Sequence, residues 1–253
     1  MTELDVQDSS GLSRRTVVRG AAWSLPVVSM AATAPAFSAS CGSTDVSYTL
    51  DWGNTALTTY AAPSNPSGAG TKVGTATILA PAGSGGSSLT ATFSSVMSGT
   101  MLRDTDNLTL STETNVGGLG LGQGLNISHA AAIPSGYANR QDISISFSRA
   151  VTNLKFTVTD IDANQGNWID QVAISGTRTG TPVSTVQGAG TVADPWMPTQ
   201  YGNRGNNSNL GNVSITFGSV AANSPFVLTF WNQAGNGNQR IFLSDFTFTA
   251  RGC

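Results

Sequence analysis

From Val46 onward apolar and polar residues alternate with a period of two. Val46, Tyr48 and Leu50 are separated by Ser47 and Thr49; Ile143, Ile145 and Phe147 are separated by Ser144 and Ser146. Successive side chains of a strand point to opposite faces, so each such run predicts a strand with one buried face. The same reading predicts strands over 73–79, 89–93, 108–110, 154–159, 169–175, 213–217 and 226–231. A closing strand is expected over 241–250, with Phe242, Phe246 and Phe248 on one parity. Gly, Asn and Pro turns separate these runs, and nothing after residue 40 carries the period of a long amphipathic helix. Short half-apolar strands in this arrangement predict an all-β fold, a two-sheet antiparallel β-sandwich with a jelly roll as its expected winding. Pairing of the closing strand near the first would bring the two ends of the domain together.

One stretch adds chemistry to the pattern. Residues 156–175, FTVTDIDANQGNWIDQVAIS, predict a β-hairpin in which Phe156, Val158, Asp160 and Asp162 face Ile174, Val172, Asp170 and Trp168. The three aspartates share the parity of the apolar residues and so are expected to point inward. Like charges across a strand pair repel, and a half-buried carboxylate must be paired, protonated or bound to a cation. Calcium suits that demand, since it accepts six to eight oxygens in irregular geometry. Asp160, Asp162 and Asp170 are the candidate ligands, with Asn164 or Asn167 supplementing them. Neutralisation by Arg149 or Arg240 is the competing expectation.

The first 40 residues lie outside the alternation. Ser13-Arg14-Arg15-Thr16-Val17-Val18 precedes a weakly apolar run of small residues interrupted by Pro26, and Ala34-Pro35-Ala36 and Ser38-Ala39-Ser40 offer peptidase sites. This segment resembles a twin-arginine (Tat) export signal, with Val17 where Phe is commoner. The resemblance implies that residues 1–40 are a cleaved leader and that the product is secreted or cell-wall associated, and the length of 41–253 is that of one all-β domain. The apolar run is short of the ~20 residues a spanning helix needs, so no membrane span is expected in the mature chain.

Two cysteines stand at the ends of the remainder, Cys41 and Cys253. In an exported chain such a pair predicts a disulfide, which also requires adjacent termini. Lipidation of Cys41 is the alternative. After the leader, nine Lys and Arg stand against eleven acids with no basic patch, which argues against nucleic acid as a partner. The Gly-rich run 117–124 lacks the spacing and the lysine of a phosphate loop and reads as a connector. His129 is the only histidine, so a histidine metal cluster is excluded by count, and no G-x-S-x-G elbow occurs. Two long polar loops, 194–212 and 231–240, combine aromatics with amides, the residue types that recognise sugars. Trp196, Tyr201, Asn206 and Trp231 are the candidate ligand-binding residues.

The segments FTVTDIDANQGNWIDQVAI and RIFLSDFTFTA resemble pieces of jelly-roll modules in bacterial secreted and surface proteins, carbohydrate-binding and adhesin-type domains among them. That resemblance adds Asp245 as a calcium ligand. The expectation is a non-catalytic extracellular binding or adhesion module, glycan-binding with a structural calcium. The alternatives are a passive wall-associated structural domain and a secreted glycoside hydrolase that uses Asp160 with Asp170.

Overall fold

The computed structural model describes residues 44–130 and 135–252. The Arg14-Arg15 leader and both cysteines lie outside the described residues. Among those described, the chain runs β1 (Asp45–Leu50), β2 (Thr58–Ala61), β3 (Lys72–Ile78), β4 (Leu89–Met97), β5 (Leu125–His129), β6 (Arg140–Phe147), β7 (Val151–Thr159) and β8 (Ala163–Asn164). It continues through β9 (Trp168–Ile174), β10 (Thr179–Pro182), β11 (Val186–Gln187), β12 (Met197–Pro198), β13 (Val213–Val220), β14 (Phe226–Asn232), β15 (Gln239–Leu243) and β16 (Phe246–Arg251). No helix among these residues is long and apolar enough to cross a membrane.

Fourteen of the strands form two antiparallel sheets that pack face to face, and β11 and β12 pair with each other as a separate two-stranded ribbon. The first is ordered β1-β16-β7-β13-β10, with β15 pairing both β5 and β7; the second is ordered β2-β3-β4-β6-β14-β9-β8. The alternation seen in the sequence is the reason. β6 buries every second residue, including Ile143, Ile145 and Phe147, and β1 buries Val46, Tyr48 and Leu50. Phenylalanines join the layers: Phe93 meets Phe246 at 6.0 Å, Phe147 meets Phe248 at 5.2 Å and Phe217 meets Phe226 at 4.5 Å between ring centroids. From β6 onward the chain crosses repeatedly between the sheets, as β6, β9 and β14 belong to the second and β7, β13 and β16 to the first.

Four expectations are corrected. The hairpin pairing Phe156 with Ile174 does not form, because β7 and β9 lie in different sheets. Phe156 pairs with Ile215, Ile174 with Leu228, and only the tip survives, as Ala163 with Ile169 and Asn164 with Trp168. Parity could not expose the error, since a crossing between facing layers buries the same alternate residues as a hairpin does. Residues 108–110 are a loop beside β5: Leu108 adopts φ 54° and its amide donates to the Asn126 carbonyl at 2.8 Å. The closing strand breaks into β15 and β16 at Ser244-Asp245, where Ser244 exchanges bonds with Thr157 and Asp245 accepts from the Trp52 amide. Finally, the Gly-rich run is built into the fold rather than a loose connector, since Gly117 donates to the Asn206 carbonyl and accepts from Asn212 Nδ2.

β1 and β16 are neighbours in register, Asp45 opposite Arg251, and the Gly252 amide donates to the Thr44 carbonyl at 3.0 Å. The ends of the described domain therefore lie side by side.

Candidate functional site

The crossing from β7 to β9 builds a polar concavity. β7 ends at Thr159; Asp160 then takes a left-handed φ of 66°, which turns the backbone out of the first sheet. A non-glycine residue in that region costs of order 1 kcal/mol, and Asp is among the few that tolerate it. The Ile161 amide donates to Gly211 at 3.0 Å, and by Ala163 the chain has joined the second sheet.

This corner holds the three aspartates together, though not as cross-strand partners. Asp162 donates its amide to Asp170 Oδ2 at 3.0 Å and accepts the Asp170 amide on its carbonyl at 3.0 Å. Asp170 Oδ1 takes the Gln239 side-chain amide at 2.7 Å. The Asp162 carboxylate accepts the Trp168 indole N–H at 2.9 Å on one oxygen and the Arg204 amide on the other. Two of the three carboxylates thus have both oxygens engaged by N–H donors. Asp160 differs, for it is 6% exposed and its Oδ1 is buried without a hydrogen-bond partner.

Burial dominates the electrostatics of all three. It pushes Asp160 up to about 8, reinforced by the charge of Asp162 and opposed by Arg240. Asp170 is raised well above the ordinary carboxylate range by burial and then by Asp162. Asp162 is raised by burial, against its donors Trp168 and Arg204.

Around the corner a cleft of about 470 Å³ opens. One wall is the loop bearing Glu113, whose Oε1 accepts from Asn206 Nδ2 at 3.0 Å, with Asn203 nearby on the opposing loop. Another is formed by Asn238, Gln239 and Arg240 at the start of β15, with Asn238 reaching Asp104 at 3.4 Å. Trp168 completes the lining. Two glycines make these walls possible. Gly117, at φ 67°, donates to the Asn206 carbonyl and accepts from Asn212 Nδ2, and a Cβ there would lie 2.4 Å from Thr159. Gly235, at φ 84°, sits over the β8–β9 turn, where a Cβ would lie 2.2 Å from the Asn167 carbonyl oxygen.

The other candidates are scattered. Asp245 is away from the cleft, holding Trp52 by its amide at 3.0 Å, and burial pushes it up to about 6. Trp196 is 1% exposed, enclosed by Gly180 and Gly190 with the Arg178 guanidinium 5.0 Å from its ring. Trp231 is buried edge-on against Tyr137 at 5.2 Å. Tyr201 is 58% exposed but lines a separate groove with Met197 and Gln233. Of the four ligand-binding candidates only Asn206 joins the cleft. Arg149 bonds Ser87 and the Tyr48 hydroxyl instead; Arg240 opposes the charge of Asp160, and Arg204 that of Asp162.

Asn203, Asn238 and Gln239 belong to the two polar loops expected to recognise sugars, whereas Asp104 and Glu113 line the cleft without having been expected there. Asp104 and Glu113 meet partners that lie far along the chain, Asn206 for Glu113 and Asn238 for Asp104, and no local spacing ties them together. Among the described residues no three Asp, Glu, His or Cys side chains converge as a metal-ligand group. No protein-family model matches the sequence, and no curated protein is significantly similar to it.

Proposed function

We propose that the chain is an exported, non-catalytic binding or adhesion domain that takes a polar extracellular ligand, a glycan, in the cleft at the β7–β9 corner. The observation that carries this reading is the lining: side-chain amides, carboxylates and a guanidinium from several loops converge on one cavity edged by Trp168. Sugars are held by such paired polar groups around an aromatic face. The repeated crossing between layers supports a jelly-roll winding, in which end loops carry the binding residues. The Tat-like leader supports a secreted or wall-associated destination. The Thr44–Gly252 bond supports a disulfide between Cys41 and Cys253 just beyond it.

The test is retention on a glycan array. Wild type should retain a glycan, Asn206→Ala and Trp168→Phe should each weaken it by ~10-fold, or about 1.4 kcal/mol, and Tyr201→Ala should not. Loss confined to Tyr201→Ala would move the site to the groove beside β12. No retention at all would leave the passive wall-associated structural domain. One observation favours a hydrolytic second reading: a buried acid held protonated near neutral pH, Asp160, shares the cleft with a second carboxylate, Glu113. Turnover of a chromogenic glycoside, abolished by Asp160→Asn, would replace the binding reading.

A further inference from the structure

The corner leaves one demand unmet. Asp162 and Asp170 are satisfied by N–H donors, whereas Asp160, more than nine-tenths buried, lines the cleft with Oδ1 unbonded. The cleft gathers the carboxyl groups of Asp104, Glu113, Asp160 and Asp162 against Arg240 as the one basic side chain of its lining. Its amides are turned to suit a cation. Asn206 gives its N–H to Glu113 and Asn238 gives its N–H to Asp104, so both keep a carbonyl oxygen for another partner. Every side-chain acceptor here is oxygen, with no imidazole or thiolate in the lining. Hard divalent cations prefer such a set, whereas zinc and copper prefer nitrogen and sulfur.

We propose that this cleft is a divalent-cation site of the calcium type, held by Asp160 and Glu113 and completed by amide oxygens of the surrounding loops and by water. This ligand set shares only Asp160 with the one expected from the sequence. Asp162 and Asp170 serve it as supports, since their oxygens are occupied. With two anionic ligands rather than three or four, affinity belongs to the range of extracellular modules, roughly 0.1–1 mM. Such a site fills outside a cell and empties inside. The inference rests on the binding reading only in taking the same cleft as the ligand face, and it adds that the cation bridges protein to ligand hydroxyls.

Terbium luminescence tests it, because Trp168 borders the cleft and can sensitise a bound lanthanide. Terbium added to the purified chain should give a saturable signal that calcium displaces. Glu113→Gln and Asp160→Asn should each weaken binding by at least ~10-fold, and Asp245→Asn should leave it unchanged. Glu113 is exposed, so its variant reports even where Asp160→Asn fails to fold. Absence of a saturable signal, or a signal that survives Glu113→Gln, overturns the proposal. Repeating the glycan array in chelator separates the two ideas. Equal retention with and without calcium overturns the bridging cation while the glycan reading stands. Terbium binding with no glycan retained upholds the cation and removes the glycan.

Discussion

The middle of the sandwich and its acidic corner are equally dry and are held by opposite means. In the middle, Phe246 stacks on Phe156 with ring centroids 4.4 Å apart and meets Phe93 edge-on at 6.0 Å. At the corner, Asp170 is 1% exposed and Asp162 5%, comparable to those phenylalanines. The first region gains from burial in proportion to area. The second loses solvation of charge, recovers part through N–H donors, and leaves Asp160 incompletely answered. A region stabilised by burial has no reason to respond to a proton or a cation, whereas one that merely tolerates burial has every reason to do so.

The largest effect should come from breaking the middle. Phe246→Ala removes a ring that touches both sheets, and a loss of about 3–5 kcal/mol is expected by chemical denaturation. That change should leave terbium binding at the corner intact in the folded fraction. Asp170→Ala is the matching lesion at the other region. It strands the Asp162 amide and the Gln239 side chain without acceptors, and about 2–3 kcal/mol should be lost. Unlike the core variant, it should also disturb the cleft, because Asp170 holds both the corner and the start of β15.

The two regions were unequally legible in the sequence. Alternation along β1, β4, β6 and β13 revealed the core almost residue by residue, because a period of two is a local signal. It did not reveal β5 or β10. β5 alternates Leu125 and Ile127 with Asn126 and Ser128 but over only five residues directly behind the Gly-rich run, while β10, Thr179–Pro182, has no apolar face to alternate. At the corner, the sequence showed that the aspartates are buried but gave the wrong neighbours. The turn at Asp160 leads to the other sheet, a consequence of one backbone angle that no parity rule records. Glu113 and Asn206 meet at 3.0 Å across 93 residues, a separation that only the assembled fold bridges. Trp196 and Trp231 look like sugar platforms by type, yet their indoles fill space beneath glycines and against Tyr137.

The gentlest probe is pH, and it separates the regions most cleanly. Asp160 moves from an ordinary 3.8 to about 8 on folding and Asp245 from 3.8 to about 6, each chiefly through burial. A raised carboxyl binds its proton more tightly in the folded state, so the native chain carries more protons than the unfolded chain between those values. The contribution is therefore complete below pH 3.8 and is lost progressively as pH rises, through about 6 for Asp245 and about 8 for Asp160. Melting temperature in chelator should fall across pH 7–9, above the range in which His129, lowered by burial to about 3, opposes the trend, and Asp160→Asn should flatten that fall. Phe246→Ala should shift the whole curve downward with its slope unchanged, since no phenylalanine contact takes part in the proton balance. A wild-type curve that instead rises over this range would mean that Asp160 gains a positive partner on folding, and the contrast between a proton-blind middle and a proton-sensing corner would be lost.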